Sequence, residues 1–330
     1  MPAIDRAGPV VLDAAMGTRL VARGLDLASS DPCLWVLDRP DDVREIHRRD
    51  VAAGADGVTT DTFGAHRAWL DRFGRAEDVA RVNRRAVEIA REAAGPFRLV
   101  LGSVGPAASA HPRDLAEQVD LLSDAGVDAL LFETLRPDEA VTILSVLGEC
   151  GVRGSLDRRP DHLSPPCEAG AGGVKLVENA GPAPTPPCIP PSQGGKSSRT
   201  TPAGYHLGED LPRIVSLFAW PSDGLADLAR RLEDLGASAI GVNCVAGMPA
   251  ALDVLRRLAP VTTLPLLVRP SAGLPGEPPA LPGSFAAAVP ELISLGVRFL
   301  GGCCGTTHEH VAALRHACDA SAVRAAETLA

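Results

Sequence analysis

Aromatic side chains are scarce in this sequence: 3% of its 330 residues, with seven Phe, three Trp and a single Tyr, Tyr205. A cage for a quaternary ammonium ligand needs several rings converging on one point, so recognition of such a cation is disfavoured. Positive charge is also short. Lys and Arg number 32 against 41 Asp and Glu, a formal net charge of −9. This balance and the lack of a basic cluster argue against nucleic acid as the main partner. No apolar run approaches membrane-spanning length. The N-terminus, with Asp5 and Asp13 early, lacks the basic-then-apolar pattern of a secretion signal. The expected location is therefore cytoplasmic, with no membrane partner. No Gly-x-Gly-x-x-Gly turn follows the first strand-like run, which argues against an open dinucleotide-binding sheet.

Ordinary globular composition is present, at 45% hydrophobic and 22% charged residues. Strand-like apolar runs occur at Val10-Val11-Leu12, Gly57-Val58-Thr59-Thr60, Leu99-Val100-Leu101 and Ala129-Leu130-Leu131-Phe132. Four more follow at Ile214-Val215-Ser216-Leu217, Ala239-Ile240-Gly241-Val242, Leu266-Leu267-Val268 and Phe299-Leu300. Between them, 77–94 places Val79, Val82, Ala86, Ile89 and Ala90 on one face at helical spacing. Residues 41–53, 114–125, 139–147, 225–235, 250–258 and 308–317 also read as helices. Repeated units of near-continuous apolar strand and helix imply a parallel sheet covered by helices, most simply a (β/α)8 barrel over 1–330 as one domain. One segment interrupts it. Across 151–211 the periodicity disappears, and ten of the chain's 29 prolines fall there. Such a stretch can neither sustain a hydrogen-bond ladder nor bury a face. It reads as a disordered insertion between the fourth helix and the fifth strand, on the barrel's N-terminal side.

The cysteines are the most informative residues. Gly301-Gly302-Cys303-Cys304-Gly305-Thr306 puts two adjacent thiols where the last strand ends and a helix begins. A disulfide across one peptide bond strains the backbone, whereas both thiolates can reach one soft metal ion. Ile240-Gly241-Val242-Asn243-Cys244 repeats the arrangement, a short strand with a cysteine at its C-terminal end. Cys244, Cys303 and Cys304 thus describe a three-cysteine zinc site with an open fourth position, the layout of a catalytic zinc. The alternatives are cysteines acting as small buried hydrophobes and a four-cysteine structural site. For the latter, Cys33, Cys150, Cys167, Cys188 and Cys318 lack the close spacing of a zinc knuckle. Thr306 and Glu309 form a candidate capping box for the last helix, which puts His308 and His310 in its first turn; either is a conceivable zinc ligand, and solvated residues beside a cap are the plainer reading.

Barrel chemistry gathers at the C-terminal ends of strands. Those positions hold Asp13, then Thr60-Asp61-Thr62-Phe63-Gly64, Gly102-Ser103, Glu133-Thr134, Trp220, Asn243-Cys244, Ser271 and the cysteine pair. Asp13 and Glu133, two carboxylates around a thiolate site, suggest capture of a substrate ammonium. A capping Asp and a surface Glu are the plainer reading.

These residues together resemble the zinc-dependent homocysteine S-methyltransferases. The resemblance is carried by Asp13…Met16-Gly17-Thr18, Thr60…Thr62-Phe63-Gly64, Gly105-Pro106, Glu133-Thr134, Gly241-Val242-Asn243-Cys244 and Gly301-Gly302-Cys303-Cys304-Gly305-Thr306. Ala272-Gly273-Leu274-Pro275 and the run through Thr306-Thr307 are closest to the homocysteine-binding module of cobalamin-dependent methionine synthase. The resemblance implies a (β/α)8 barrel with zinc on Cys244, Cys303 and Cys304 and the homocysteine thiol as fourth ligand. Asp13 and Glu133 would hold the ammonium, and Thr62, Asp61, Asn243 and Ser271 complete the expected substrate-binding set. Ala14, Asp61 and Ser271 depart from the family pattern of Gly, Asn and Asn, and Ala14 would add a Cβ where backbone meets substrate. A sulfonium methyl donor, S-methylmethionine or S-adenosylmethionine, needs no separate cofactor. A methyl-corrinoid partner protein is the alternative, and a non-catalytic zinc- or amino-acid-binding barrel is the third.

Overall fold

A computed structural model describes residues 8–106, 112–149, 211–273 and 280–329. The proline-rich insertion, apart from Leu211, and the pair Leu274-Pro275 lie outside them. Eight parallel strands form the centre: β1 (Val10–Val11), β2 (Gly57–Thr59), β3 (Leu99–Val104), β4 (Ala129–Leu135), β5 (Arg213–Leu217), β6 (Ala239–Ala246), β7 (Leu266–Ser271) and β8 (Val297–Leu300). Their order is β1-β8-β7-β6-β5-β4-β3-β2. A parallel bridge between Leu12 and Gly57, with Asp56 N–H donating to the Val11 carbonyl, brings the two ends together. The sheet is the expected eight-stranded barrel.

Alternation along the strands builds two layers of core. Val10, Leu12, Leu99, Leu101, Ala129, Leu131, Ile214, Ala239, Leu267 and Phe299 form one buried cluster. Their neighbours Val11, Val58, Val100, Leu130, Phe132, Val215, Ile240, Val242, Val268 and Leu300 pack with helix residues in another. A period of two with both faces apolar is what a strand inside a helix-covered barrel requires. The helices are α1 (Gly17–Val21), α2 (Trp35–Asp38), α3 (Pro40–Ala52), α4 (Arg67–Asp71), α5 (Val79–Ala94), α6 (Pro112–Ala125) and α7 (Pro137–Glu149). Beyond the insertion follow α8 (Leu225–Asp234), α9 (Gly247–Leu258), α10 (Pro282–Ser294) and α11 (His308–Leu329). No helix among the described residues is long and apolar enough to cross a membrane.

Differences from expectation are physical. Helix α10 was not anticipated, because Pro290 stands inside it and a proline removes one backbone hydrogen bond. Buried Phe285, Val289 and Leu292 supply the packing that offsets this. Thr306 is not the cap of α11: its hydroxyl donates to the Cys303 carbonyl at 2.6 Å, and Thr307 caps instead, accepting from Glu309 N–H at 3.3 Å. Strands β3, β4, β6 and β7 run three or four residues past their apolar stretches. Ser103, Glu133, Thr134, Asn243, Cys244, Arg269 and Ser271 therefore sit on the strands themselves, whereas Asp13, Asp61, Thr62, Cys303 and Cys304 lie just beyond strand ends.

Candidate metal centre

Three sulfur atoms meet at the C-terminal end of the barrel. Cys244 Sγ lies 2.8 Å from Cys303 Sγ and 3.9 Å from Cys304 Sγ, and all three sulfurs fall within 4.8 Å of one another. All three side chains are half-buried and none is in a disulfide. A tetrahedron with metal–sulfur bonds of about 2.3 Å has edges of about 3.8 Å, so the longer separation already matches and the shorter one would open on metal binding. No other group of His, Cys, Asp or Glu among the described residues converges this way. The trio shares its protons. Hydrogen bonds from Cys244 and Cys303 hold the Cys304 thiol down at about 3, while bonding to Cys303 and Cys304 and then burial push Cys244 up. One thiolate forms readily and the next is resisted by the first, the electrostatic situation that a divalent cation relieves.

The turn after β8 is held from several directions. Gly301 N–H donates to the Val268 carbonyl, Gly302 N–H to the Asp13 carbonyl and Cys303 N–H to the Pro270 carbonyl, at 2.9, 3.1 and 2.9 Å. Ala272 N–H donates to the Cys304 carbonyl at 2.8 Å. A Cβ on Gly302 would stand 2.3 Å from Thr306 Oγ1, and Gly305 has φ +76 with the Gly273 carbonyl in the way of any side chain. Glycine at those two places is a steric requirement.

Cys244 is fixed differently. It and Thr134 are non-glycine residues with positive φ, 56° and 61°, each within a register irregularity of its strand. Such backbone persists only where surroundings over-determine it. Asn243 does this, as its Oδ1 accepts from Thr134 N–H at 3.0 Å and from Ser216 Oγ at 2.9 Å, and its Nδ2 donates to Thr134 Oγ1 at 2.8 Å. Fully buried, Asn243 clamps β4 to β6 across β5 through these bonds. Asn243→Ala is expected to weaken metal affinity by roughly ten-fold or more while the barrel stays folded. Competition with a chromophoric chelator checks this, and unchanged affinity would rule out the clamp.

The carboxylates are also accounted for. Asp13, buried, accepts from Thr59 N–H at 2.7 Å, Thr59 Oγ1 at 2.8 Å and Arg269 Nη2 at 3.0 Å. Glu133 Oε1 accepts from Ser103 Oγ at 2.6 Å, while Oε2 lies 3.6 Å from Arg269 Nη1. Burial raises both carboxyls, and Arg269 opposes it. The cation is itself disfavoured by burial, but Glu133 and Asp13 outweigh that and leave it raised. No motif announces Arg269, and its signal is a charged residue inside an otherwise apolar strand.

The remaining expected site residues have other surroundings. Thr62, buried, donates to the Ser103 carbonyl at 2.7 Å. Asp61 is buried, its Oδ2 has no hydrogen-bond partner among the described residues, and burial together with the Asp31 charge pushes its carboxyl well up. Ser271, the last residue of β7, is 7% exposed. Ala14 is buried, and its methyl group belongs to the hydrophobic core cluster. Trp220 is buried with its indole N–H on the Gly241 carbonyl at 2.9 Å, leaving Phe63 and Phe218 as the exposed aromatics just past the C-terminal ends of strands among the described residues.

The family model for homocysteine S-methyltransferase matches residues 10–158 and 221–318. The chain belongs to the homocysteine S-methyltransferase family. The match spans all three cysteines, both carboxylates and Arg269. Methionine synthases from Mycobacterium tuberculosis and Mycobacterium leprae are 31% and 30% identical over 92% of this chain, which spans 24% of the length of each. Homocysteine S-methyltransferase from Escherichia coli is 27% identical, over 94% of this chain and 96% of its own length. The metallated form of the Escherichia coli homocysteine methyltransferase MmuM has the same fold, with a TM-score of 0.65 at 24% identity. That match covers 95% of this chain and 97% of the other.

Proposed function

We propose that this family member transfers a methyl group to the thiol of homocysteine, forming methionine, at a zinc ion held by Cys244, Cys303 and Cys304. The observation that carries the reading is the convergence of three cysteine sulfurs within 4.8 Å at the barrel end that also holds Glu133. The donor set fits the metal: three soft thiolates leave one tetrahedral position for a fourth sulfur. Zinc bound there would hold a substrate thiol, ordinarily near pKa ~8.5, as the nucleophilic thiolate at neutral pH.

The protein's own groups supply the rest. The open Oε2 of Glu133 takes the substrate ammonium, and Asp13 supports it through Arg269. Thr62, Asn243, Asp61 and Ser271 shape the walls of the same site. With the amino acid end held, the sulfur is aimed at the incoming methyl group. One sulfur–carbon bond forms as the donor's breaks, a sulfonium donor leaves as a neutral thioether, and the thiol proton passes to water.

A sulfonium compound, S-methylmethionine or S-adenosylmethionine, is the proposed donor. The similarity to about a quarter of two methionine synthases favours a second reading, in which a separate methyl-corrinoid protein is the donor. Zinc-loaded protein is given homocysteine with each sulfonium, then with methylcobalamin, and methionine is measured. Turnover with a sulfonium alone is expected. Turnover with methylcobalamin only would transfer the assignment to the corrinoid-dependent reading, and none with any donor would overturn both.

A further inference from the structure

Arg269 joins more of the site than any motif residue does. From β7 its guanidinium reaches Thr59 on β2 at 3.1 Å, Asp13 beyond β1 at 3.0 Å, Glu133 on β4 at 3.6 Å and the Gly302 carbonyl beyond β8 at 3.3 Å. It is 5% exposed, so this cation lies inside the barrel beside two carboxylates and next to the turn that carries Cys303. A buried ion persists where opposite charges and hydrogen bonds replace its water. A planar fork with five donors reaches partners spread over several fixed directions, whereas a lysine's three donors radiate from one point.

The arrangement divides the two carboxylates by task. Asp13 accepts three hydrogen bonds, two on Oδ1 from Thr59 Oγ1 and Arg269 and one on Oδ2 from Thr59 N–H, and at 2% exposure it offers an incoming ammonium little access. Glu133 has Oε1 tied to Ser103, whereas Oε2 accepts no hydrogen bond from a described residue and faces Arg269 only across 3.6 Å. We infer that Arg269 is a positioning residue that makes the site selective for thiols bearing an ammonium group: it retains Asp13 as an internal counter-ion and leaves Oε2 of Glu133 as the acceptor for that group. The inference rests on the thiol-binding reading above. It goes further in assigning the discrimination to a residue that touches neither metal nor sulfur, and in removing Asp13 from direct contact with substrate.

Two acceptors separate the contributions: homocysteine, and 4-mercaptobutanoate, which has the same thiol and carboxylate without the ammonium. Calorimetric titration of the zinc-loaded protein with each gives a ratio of affinities. Wild type is expected to favour homocysteine by ten-fold or more, and Arg269→Met to bring the ratio close to one with zinc content unchanged. Arg269→Lys, which keeps a cation but not the fork, is expected to retain the fold and show a several-fold smaller ratio than wild type. It decides the matter if the methionine variant fails to fold. A wild-type ratio near one, or a full ratio in whichever variants fold, overturns the role of Arg269 while thiol binding stands. Failure of wild type to bind either thiol removes the thiol-binding reading and this inference together.

Discussion

Cys303→Ala and Cys304→Ala are each expected to yield a folded protein without bound metal and without methyl transfer. Either variant removes one of three sulfur ligands, leaving two thiolates and no replacement among the described residues, because no further His, Cys, Asp or Glu converges on the sulfurs. Cys244→Ala should behave the same way. The barrel itself should survive, since the cysteines of the centre are only half-buried and outside the hydrophobic clusters. Elemental analysis after dialysis, beside circular dichroism, checks both halves of the expectation. About one zinc per chain in wild type and close to none in the variants is the expected result, and full zinc in either Cys303→Ala or Cys304→Ala would sink the site. Cys33→Ala and Cys318→Ala are informative controls. Both residues are buried within hydrophobic clusters, so their loss should lower stability by cavity formation and leave the metal in place.

The architecture was legible because burial on both faces leaves strong traces in a sequence. All eight strands follow from short apolar runs, and α5 follows from apolar residues at helical spacing. Helix α10 was hidden because local backbone preference at Pro290 points one way and tertiary packing of Phe285, Val289 and Leu292 the other. At the centre, composition marked the three cysteines, since adjacent thiols in a glycine run have few structural uses. Direction was harder to read. Asp13, Thr62 and Asn243 stand at the strand ends where they were expected, yet their side chains are engaged by Thr59, Ser103, Thr134 and Ser216. A strand position tells which layer a residue occupies, but the partner is set by the neighbouring strands' register. Arg269 shows this most clearly: the four groups it reaches belong to segments near 13, 59, 133 and 302, far apart in the chain.

Glu133→Ala is expected to weaken homocysteine binding by roughly ten- to hundred-fold while zinc remains at full occupancy. A charge-assisted hydrogen bond in a confined site contributes about 1.5–3 kcal/mol, which corresponds to that range of affinity. The metal should be indifferent to this substitution, because the carboxylate engages Ser103 and Arg269 and is not among the grouped ligands. Removing it has a second consequence. Arg269 would lose one of two carboxylate neighbours and keep Asp13, so the cation remains paired and the fold should hold. Glu133→Gln keeps the shape of the side chain and its contact with Ser103 but not the charge, and it should lose nearly as much affinity as the alanine variant. That comparison separates charge from packing. Equal losses in both variants point to the ammonium contact, whereas near-wild-type binding by Glu133→Gln would mean that the side chain only fills space. Calorimetry on zinc-loaded protein, with 4-mercaptobutanoate as the ligand that should be insensitive to either substitution, provides the measurement.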